Sequence, residues 1–306
     1  MFTLEERQIG RLFQLNFFPV PSTEIVFFGL RGCLPILDDD HTFRVANDLQ
    51  VVNTDYFHPR CTLGQWEPAK QRFAVFPGST VPHRRYVQSS LEKGGGGTNQ
   101  LLTGFYPDYR KGRHQAGRPT GHDAFRQDNR LPIRRTADDL DYEEDDRVEY
   151  STPFDNLHAG WCMGINSEDY ASAGCQVVVG YPKCQKRGNQ PESGPWKTFR
   201  GNAYGVTQTR FAFVLLHGSD ALKVSANDSN KMSARLRYGS QGELVESLQK
   251  KLKTKGHYEG NIDGDFGYRT LRAVLEFQEN QFGPMADDGI VGPITASALR
   301  LAWPKL

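Results

Sequence analysis

The chain has 306 residues, 38% hydrophobic and 24% charged, enough apolar mass for one large domain and a small one. Its 37 Lys+Arg nearly cancel its 36 Asp+Glu, leaving no broad basic field to attract nucleic acid. No apolar run approaches the roughly 18 residues needed to span a bilayer, and "MFTLEERQIGRLFQLNFFPVPS" lacks the unbroken apolar core of a secretory signal. On these grounds neither a membrane span nor export by the ordinary route is expected.

From the N-terminus the chain reads as β-rich. "TEIVFFGLRG", "FRVANDLQVVNT", "RFAVFPGSTV", "CQVVVGY" and "RFAFVLLHG" carry the Val, Ile and Phe enrichment of strands, with glycine, proline or polar breaks between them. The stretch 88–150 is expected to be loop-rich: it holds "GGGG" at 94–97, a basic "YRKGRHQAGR" and an acidic "DDLDYEEDD" at 138–146, and charge runs of this kind are usually solvated. Glu143, Glu144, Asp145 and Asp146 offer carboxylates for glycan cleavage, but adjacent charges single out no acid–base pair.

Residues 156–180, "NLHAGWCMGINSEDYASAGCQVVVG", place His158 seventeen positions before Cys175. A cysteine nucleophile needs a base, a controlled pKa and donors for the oxyanion formed on attack. His158 can be the base, the small residues before Cys175 allow a tight turn with converging amides, and "QVVVG" reads as a buried strand that holds the sulfur. A structural Cys–His pair is the simpler alternative. A zinc site from His158, Cys162, Cys175 and Cys184 is another, although neither C-x-x-C nor H-x-x-x-H spacing occurs. The odd count of five cysteines leaves at least one thiol unpaired; Cys33–Cys61 and Cys162–Cys184 can pair in an oxidising compartment or stay free.

Polar residues 218–235 read as a linker, with 226–233 as its centre. Beyond it, Leu244, Val245, Leu248 and Leu252 share a helical face, Ser240 and Glu243 have capping-box spacing, and Gly256 is placed to end the helix. "DGDFGYRTLRAV" from Asp263 and "DGIVGPITASAL" from Asp288 repeat a D-G-x-x-G-x-x-T pattern at an offset of 25. Each is a tight turn running through a second glycine into a helix, and a three-helix bundle is predicted. The pattern lacks the alternating oxygen ligands of a calcium loop, so structural turns are expected. Residues 234–303 closely resemble the peptidoglycan-binding domain of bacterial and phage wall enzymes, through "LRYGSQGELVESLQKKL", "IDGDFGYRTLRAVLEFQ" and "DGIVGPITASAL".

The stretch around His158 and Cys175 resembles the catalytic signature of the L,D-transpeptidase (YkuD-like) family, a histidine-glycine pair followed by Ser-His-Gly-Cys. The resemblance implies an α+β protein: a β-rich, sandwich-like catalytic domain over 1–225, followed by the helical binding domain. It implies that Cys175 attacks a stem-peptide carbonyl with His158 as base, giving a thioester resolved by an amine or by water. Ser172 and Gly174 match the small positions of the motif, and the amides around Gly174 and Cys175 are the implied oxyanion donors, with Gly160 and Ala173 in the same support. "FAVFPGSTVPH" is similar to a strand and loop of the family, and His122, Arg126, Gln127 and Gln176 fall where substrate is lined. The departures are Ala173 for the signature's histidine, Val177 for its arginine and "HAG" for "HG", which mark a divergent branch. The expected function is modification of peptidoglycan, hydrolytic rather than cross-linking, without metal or other cofactor. The competing reading is a wall-binding protein without catalysis. Lacking a signal, the protein is expected to be made in the cytoplasm and delivered to the periplasm by a secretion apparatus or lysis, as a secreted effector or phage-type lytic protein, with an immunity protein as a further partner.

Overall fold

The computed structural model describes residues 1–94, 97–136, 142, 146–227 and 230–306. In chain order the elements are β1 (Phe2–Glu5), α1 (Glu6–Leu15), β2 (Val26–Arg31), β3 (Cys33–Pro35), β4 (Ala46–Val51), β5 (Cys61–Glu67), β6 (Arg72–Ser79), α2 (Arg84–Glu92) and β7 (Asn99–Leu101). They continue with β8 (Gly104–His114), β9 (His122–Arg126), β10 (Leu131–Arg135), β11 (Arg147–Ser151), β12 (Leu157–Ala159), β13 (Gln176–Val178), α3 (Pro195–Gly205), β14 (Arg210–His217) and α4 (Gly218–Ala226). The last three are α5 (Glu243–Thr254), α6 (Tyr268–Phe282) and α7 (Pro293–Ala298).

Eight strands close into a barrel in the order β12-β13-β6-β5-β2-β14-β8-β9, flanked by two three-stranded sheets, β1-β4-β3 and β11-β10-β7. The α+β, β-rich expectation is met in this form. The main sheet is a closed barrel, which removes its edges, and not the two-layer sandwich that the resemblance implied. Two of its pairings are parallel, β2 with β14 and β12 with β13. The near-continuous apolar runs of β2 and β14 follow from burial on both faces. Inside, Phe27 stacks on Phe211 (4.5 Å, 6°) and meets Phe125 edge-on, with Phe199 of α3 against both Phe27 and Phe125. Outside, Val26, Phe28, Val214 and Leu216 pack under Ile9, Leu12 and Phe13 of α1 and Ala221 and Val224 of α4.

Several expectations are corrected. The stretch 88–150 is not mainly loop: it supplies β7 to β11. Residues 109–114 of the basic run "YRKGRHQAGR" form the end of β8, a strand that pairs on both sides, and the rest is the turn into β9. Residues 138–141 and 143–145 of the acidic run, with Glu143, Glu144 and Asp145, lie outside the described residues. The polar run 218–235 is not linker throughout, because α4 occupies its first nine residues and buries Ala221 and Val224. Ser240 does not cap α5: Gly242 is the N-cap, and the Ser240 hydroxyl donates to the Asn16 carbonyl at 2.6 Å. All five cysteines are free thiols, and burial pushes Cys33 up to about 12 and Cys162 to about 11, which leaves both inert at neutral pH. Among the described residues no helix is long and apolar enough to cross a membrane.

Helices α5, α6 and α7 form the predicted bundle, and its repeat has a physical cause. Buried Gln249 donates to Asp263 Oδ1 (2.7 Å), the Asp265 carbonyl and Thr270, and accepts from the Gly264 amide. Gln278 does the same with Asp288, Ile290, Thr295 and Gly289. The Asp and Thr of each motif therefore serve one glutamine that closes the turn.

The bundle is docked on the barrel and not tethered beside it. The Phe105 amide donates to the Tyr238 carbonyl (2.9 Å), Tyr150 stacks on Tyr268 (4.4 Å, 10°), and Leu102 joins the bundle core. The approach needs glycine: a Cβ on Gly104 would lie 2.6 Å from the Tyr238 carbonyl oxygen. At the seam Arg237, 1% exposed, faces Asp220 at 3.3 Å and donates to Thr103 (3.1 Å). Asp220→Ala strands this cation, and removal of one partner of a buried pair costs about 3–5 kcal/mol. Urea unfolding of the full chain should show that loss, with most of it recovered in Asp220→Ala/Arg237→Leu; equal losses in both variants would contradict the pairing.

Candidate active site

Strands β12 and β13 run parallel with His158 opposite Val177. Side chains two apart on a strand share a face, so Cys175, at the entry to β13, points to the same side as Val177 and His158. The crossover from 160 to 175 thus returns the sulfur beside the imidazole. One ring nitrogen each from His158 and His114 and the Cys175 sulfur all lie within 4.8 Å of one another.

His158 is buried. Its Nδ1–H donates to the Ala159 carbonyl (2.8 Å), so Nε2 carries the lone pair, and that atom is buried without a hydrogen-bond partner. Burial, then the neighbouring His114 and His122, holds His158 well below the usual imidazole range. His114 comes from the end of β8 and stacks on His158 (4.1 Å, 15°), while its strand partner His122 meets His158 edge-on (5.3 Å, 69°). Burial lowers His114 to about 4 and also lowers His122. Three neutral rings therefore stand together, since two charged imidazoles in such contact would repel.

Cys175 is half-buried, packed against Cys162, Tyr170, Val177 and Val179. Burial, then the carboxyl of Asp155, raises its thiol pKa well above the ordinary value. The resting state is a thiol beside a neutral base, not a preformed ion pair. Asp155 is itself buried: its Oδ1 accepts from Asn99 (3.1 Å), its Oδ2 has no partner, and burial pushes it up to about 7.

The turn before the sulfur is built by Ser172 and Gly174. The Ser172 hydroxyl donates to the Cys175 carbonyl (2.7 Å) and accepts from the Gly174 amide (3.2 Å). Gly174 has φ +135°, and a Cβ there would lie 2.6 Å from Asp155 Oδ1 and 2.7 Å from Asn99 Cβ, so only glycine fits. The Gly174 amide, expected as an oxyanion donor, is thus already committed to Ser172. Ala173 is exposed, and Val177 is buried in the sulfur's own apolar cluster, so neither departure from the signature places a polar side chain here. Gly160 donates to Val178 and accepts from Ala171, tying the crossover to β13.

Of the expected lining residues, His122 stands at the site, with Trp161 beyond it (5.8 Å). Arg126 pairs with Asp128 (2.6 Å). Gln127 and Gln176 are buried behind the site: Gln127 accepts from the Asn129 amide and Gln176 donates to the Gly174 carbonyl, so both brace the scaffold and line no surface. Phe154 (φ 57°) and Trp161 (φ 59°) flank β12 in the left-handed region, which costs about 1–3 kcal/mol each and clusters at functional sites. Phe154 is 55% exposed and its carbonyl lies 3.9 Å from the Cys175 sulfur, which places an exposed apolar side chain next to the site. His114, Asp155 and Asn156 were missed by sequence reasoning; His114 lay hidden in a run read as a solvated loop.

The donor chemistry does not suit a metal ion. The Asn156 amide is oriented by the Gln127 N–H on its Oδ1 (2.9 Å), so its Nδ2 donates to His114 Nδ1 (3.0 Å). The proton of His114 is then on Nε2, and neither nitrogen offers a free lone pair. Parallel rings also send their in-plane lone pairs side by side and not to a common point. The alternative zinc set of His158, Cys162, Cys175 and Cys184 is not brought together among the described residues.

Comparison with known proteins bears on the C-terminal bundle. Residues 241–299 match the family described as "Putative peptidoglycan binding domain". The chain is 44% identical over 61 residues to the spore cortex-lytic enzyme of Bacillus subtilis (strain 168), covering 20% of each chain. It is 40% identical over 85 residues to the spore cortex-lytic enzyme of Bacillus cereus, covering 28% of this chain and 31% of that one. It is 41% identical over 58 residues to the N-acetylmuramoyl-L-alanine amidase CwlM of Mycobacterium tuberculosis, covering 19% and 14%. The chain thus spans less than a third of the length of these relatives. No solved structure matches. The bundle docked on the barrel carries the sequence of a peptidoglycan-binding domain.

Proposed function

We propose that the protein acts on the bacterial cell wall as a cysteine acyl-transfer enzyme of L,D-transpeptidase-like type, with peptidoglycan stem peptides as substrate. The observation that carries this reading is the unpartnered, buried Nε2 of His158 beside the Cys175 sulfur, with its tautomer fixed by the Ala159 carbonyl. A base with one nitrogen satisfied and the other free next to a thiol is the arrangement that nucleophilic catalysis requires. The peptidoglycan-binding sequence of the docked bundle supports the choice of substrate.

In this reading His158 Nε2 takes the Cys175 proton as the sulfur attacks a stem-peptide carbonyl. The C–N bond breaks, His158 returns the proton to the departing amine, and a thioester remains on Cys175. Water or an amine then attacks the thioester, the C–S bond breaks, and the attacking group's proton passes through His158 to the sulfur of Cys175. Thiol and imidazole start neutral, so proton transfer accompanies attack. Hydrolysis is the favoured outcome, at the wall outside the cytoplasm.

Purified sacculi treated with the protein should release altered muropeptides, read by mass. A lost terminal residue identifies a carboxypeptidase, broken cross-links an endopeptidase, and exchanged residues a transpeptidase. Cys175→Ala should give none of these, and His158→Ala should slow release about 10²–10⁴-fold. Unchanged products with the native protein, or full activity of Cys175→Ala, would overturn the reading. Deleting 234–306 is a poor test of wall targeting, because it strips an apolar seam from the barrel.

Asp155 gives a pH test. Its folded pKa, about 7, lies above its ordinary value of 3.8, so the folded state holds the proton longer. The stability this group contributes is full below about pH 4 and is lost as pH rises toward 7. Asp155→Asn keeps the acceptor for Asn99 and removes the ionisation. The melting temperature of Asp155→Asn relative to the native protein should climb between pH 5 and pH 8, and its Cys175 should be alkylated faster at pH 8. A pH-independent difference would contradict an Asp155 that ionises near neutrality.

A further inference from the structure

Three imidazoles meet at the thiol, and their hydrogen bonds assign them different tasks. His158 and His122 each spend the Nδ1 proton on a backbone carbonyl, that of Ala159 and that of Thr120 (2.7 Å), and both present a bare Nε2. Both Nε2 atoms are buried and without partner. His114 is reversed: Asn156 donates to its Nδ1, so its proton is on Nε2. His114 is also half-buried where the other two are buried, so its N–H is the one substrate can reach. Of the three rings, His114 alone presents a donor.

The chemistry at Cys175 calls for a donor. When a thiolate adds to a carbonyl, negative charge develops on the oxygen, and N–H groups aimed at that position lower the barrier most. The Gly174 amide already serves Ser172. The residue before it, Ala173, brings no polar side chain.

We propose that His114 is a catalytic residue whose neutral Nε2–H donates to the oxyanion formed when Cys175 attacks the substrate carbonyl. The proposal rests on the reading of Cys175 as nucleophile. Its ring lies face to face on His158, so base and oxyanion donor are one stacked unit, one ring removing the thiol proton while the other holds the carbonyl oxygen. Asn156 sets this division of labour, because its buried amide is fixed from behind by the Gln127 backbone. No proton leaves His114 in the cycle; it donates a hydrogen bond and keeps its proton.

The test compares two reactions of Cys175 that need no peptidoglycan. Acetylation by p-nitrophenyl acetate passes through a tetrahedral oxyanion: the S–C bond forms, the C–O bond breaks, p-nitrophenolate leaves and the thiol proton goes to His158. Alkylation by iodoacetamide displaces iodide with no oxyanion. Both adducts are quantified on the Cys175 peptide by mass spectrometry in the full-length protein. His114→Phe keeps a flat ring and loses the donor; it should slow acetylation about 10²-fold or more and change alkylation less than about threefold. His114→Gln restores an N–H and should recover acetylation to within about tenfold of native. Unchanged acetylation in His114→Phe overturns the proposal. So does a parallel fall in both reactions, which would mark a ring that only positions His158. A native protein acetylated as expected but inert on sacculi would leave the donor role standing and remove the peptidoglycan reading instead.

Discussion

The hydrogen bond from His158 Nδ1 to the carbonyl of the next residue is the constraint on which the site depends. It fixes which nitrogen is free, and the strand geometry of β12 fixes where that nitrogen points. Because β12 and β13 pair in parallel, the chain must cross over between them, and the crossover delivers Cys175 to the same face as His158. Everything else follows from keeping these two groups dry and neutral. The apolar cluster of Cys162, Tyr170, Val177 and Val179, the buried Asp155 and the neighbouring rings all disfavour charge here, so in the proposed reaction the ion pair forms only as substrate is attacked.

The second structural feature of consequence is the seam between barrel and bundle. Shared apolar residues, the Tyr150–Tyr268 stack and the buried Arg237 make the two units one packed body at that contact. The peptidoglycan-binding bundle is then held at a set position relative to the His158–Cys175 pair. Affinity for the wall would present that pair to the polymer in a preferred pose, which a flexible tether does not do.

Much was legible in the sequence where local pattern and burial agree. The runs "VFFGL" and "FAFVLL" read as buried strands because β2 and β14 are covered on both faces. The Asp-Gly repeats read as turns because each closes on its own helix through one glutamine. His158 and Cys175 were legible as a pair because their strands are close in sequence. What failed was non-local or masked by charge. β8 reads as a solvated basic segment, since Arg110, Lys111 and Arg113 conceal the period-two pattern, and with it His114 went unseen. Barrel closure, and the stacking of His114 on His158, depend on the pairing of β9 with β12, strands about thirty residues apart whose register no local spacing encodes. Ser240 looked like a helix cap locally but is drawn to Asn16 across the seam.

A thioester on Cys175 is a covalent species and can be weighed. The full-length protein is mixed with purified stem-peptide muropeptides, quenched in acid within the first turnovers and measured by intact mass, then by peptide mapping. The expected result is an acyl adduct with the mass of a stem-peptide fragment, located on Cys175 and released by hydroxylamine as a thioester is. Turnover of muropeptides with no adduct, or with an adduct on any other residue, would contradict a thioester mechanism at Cys175.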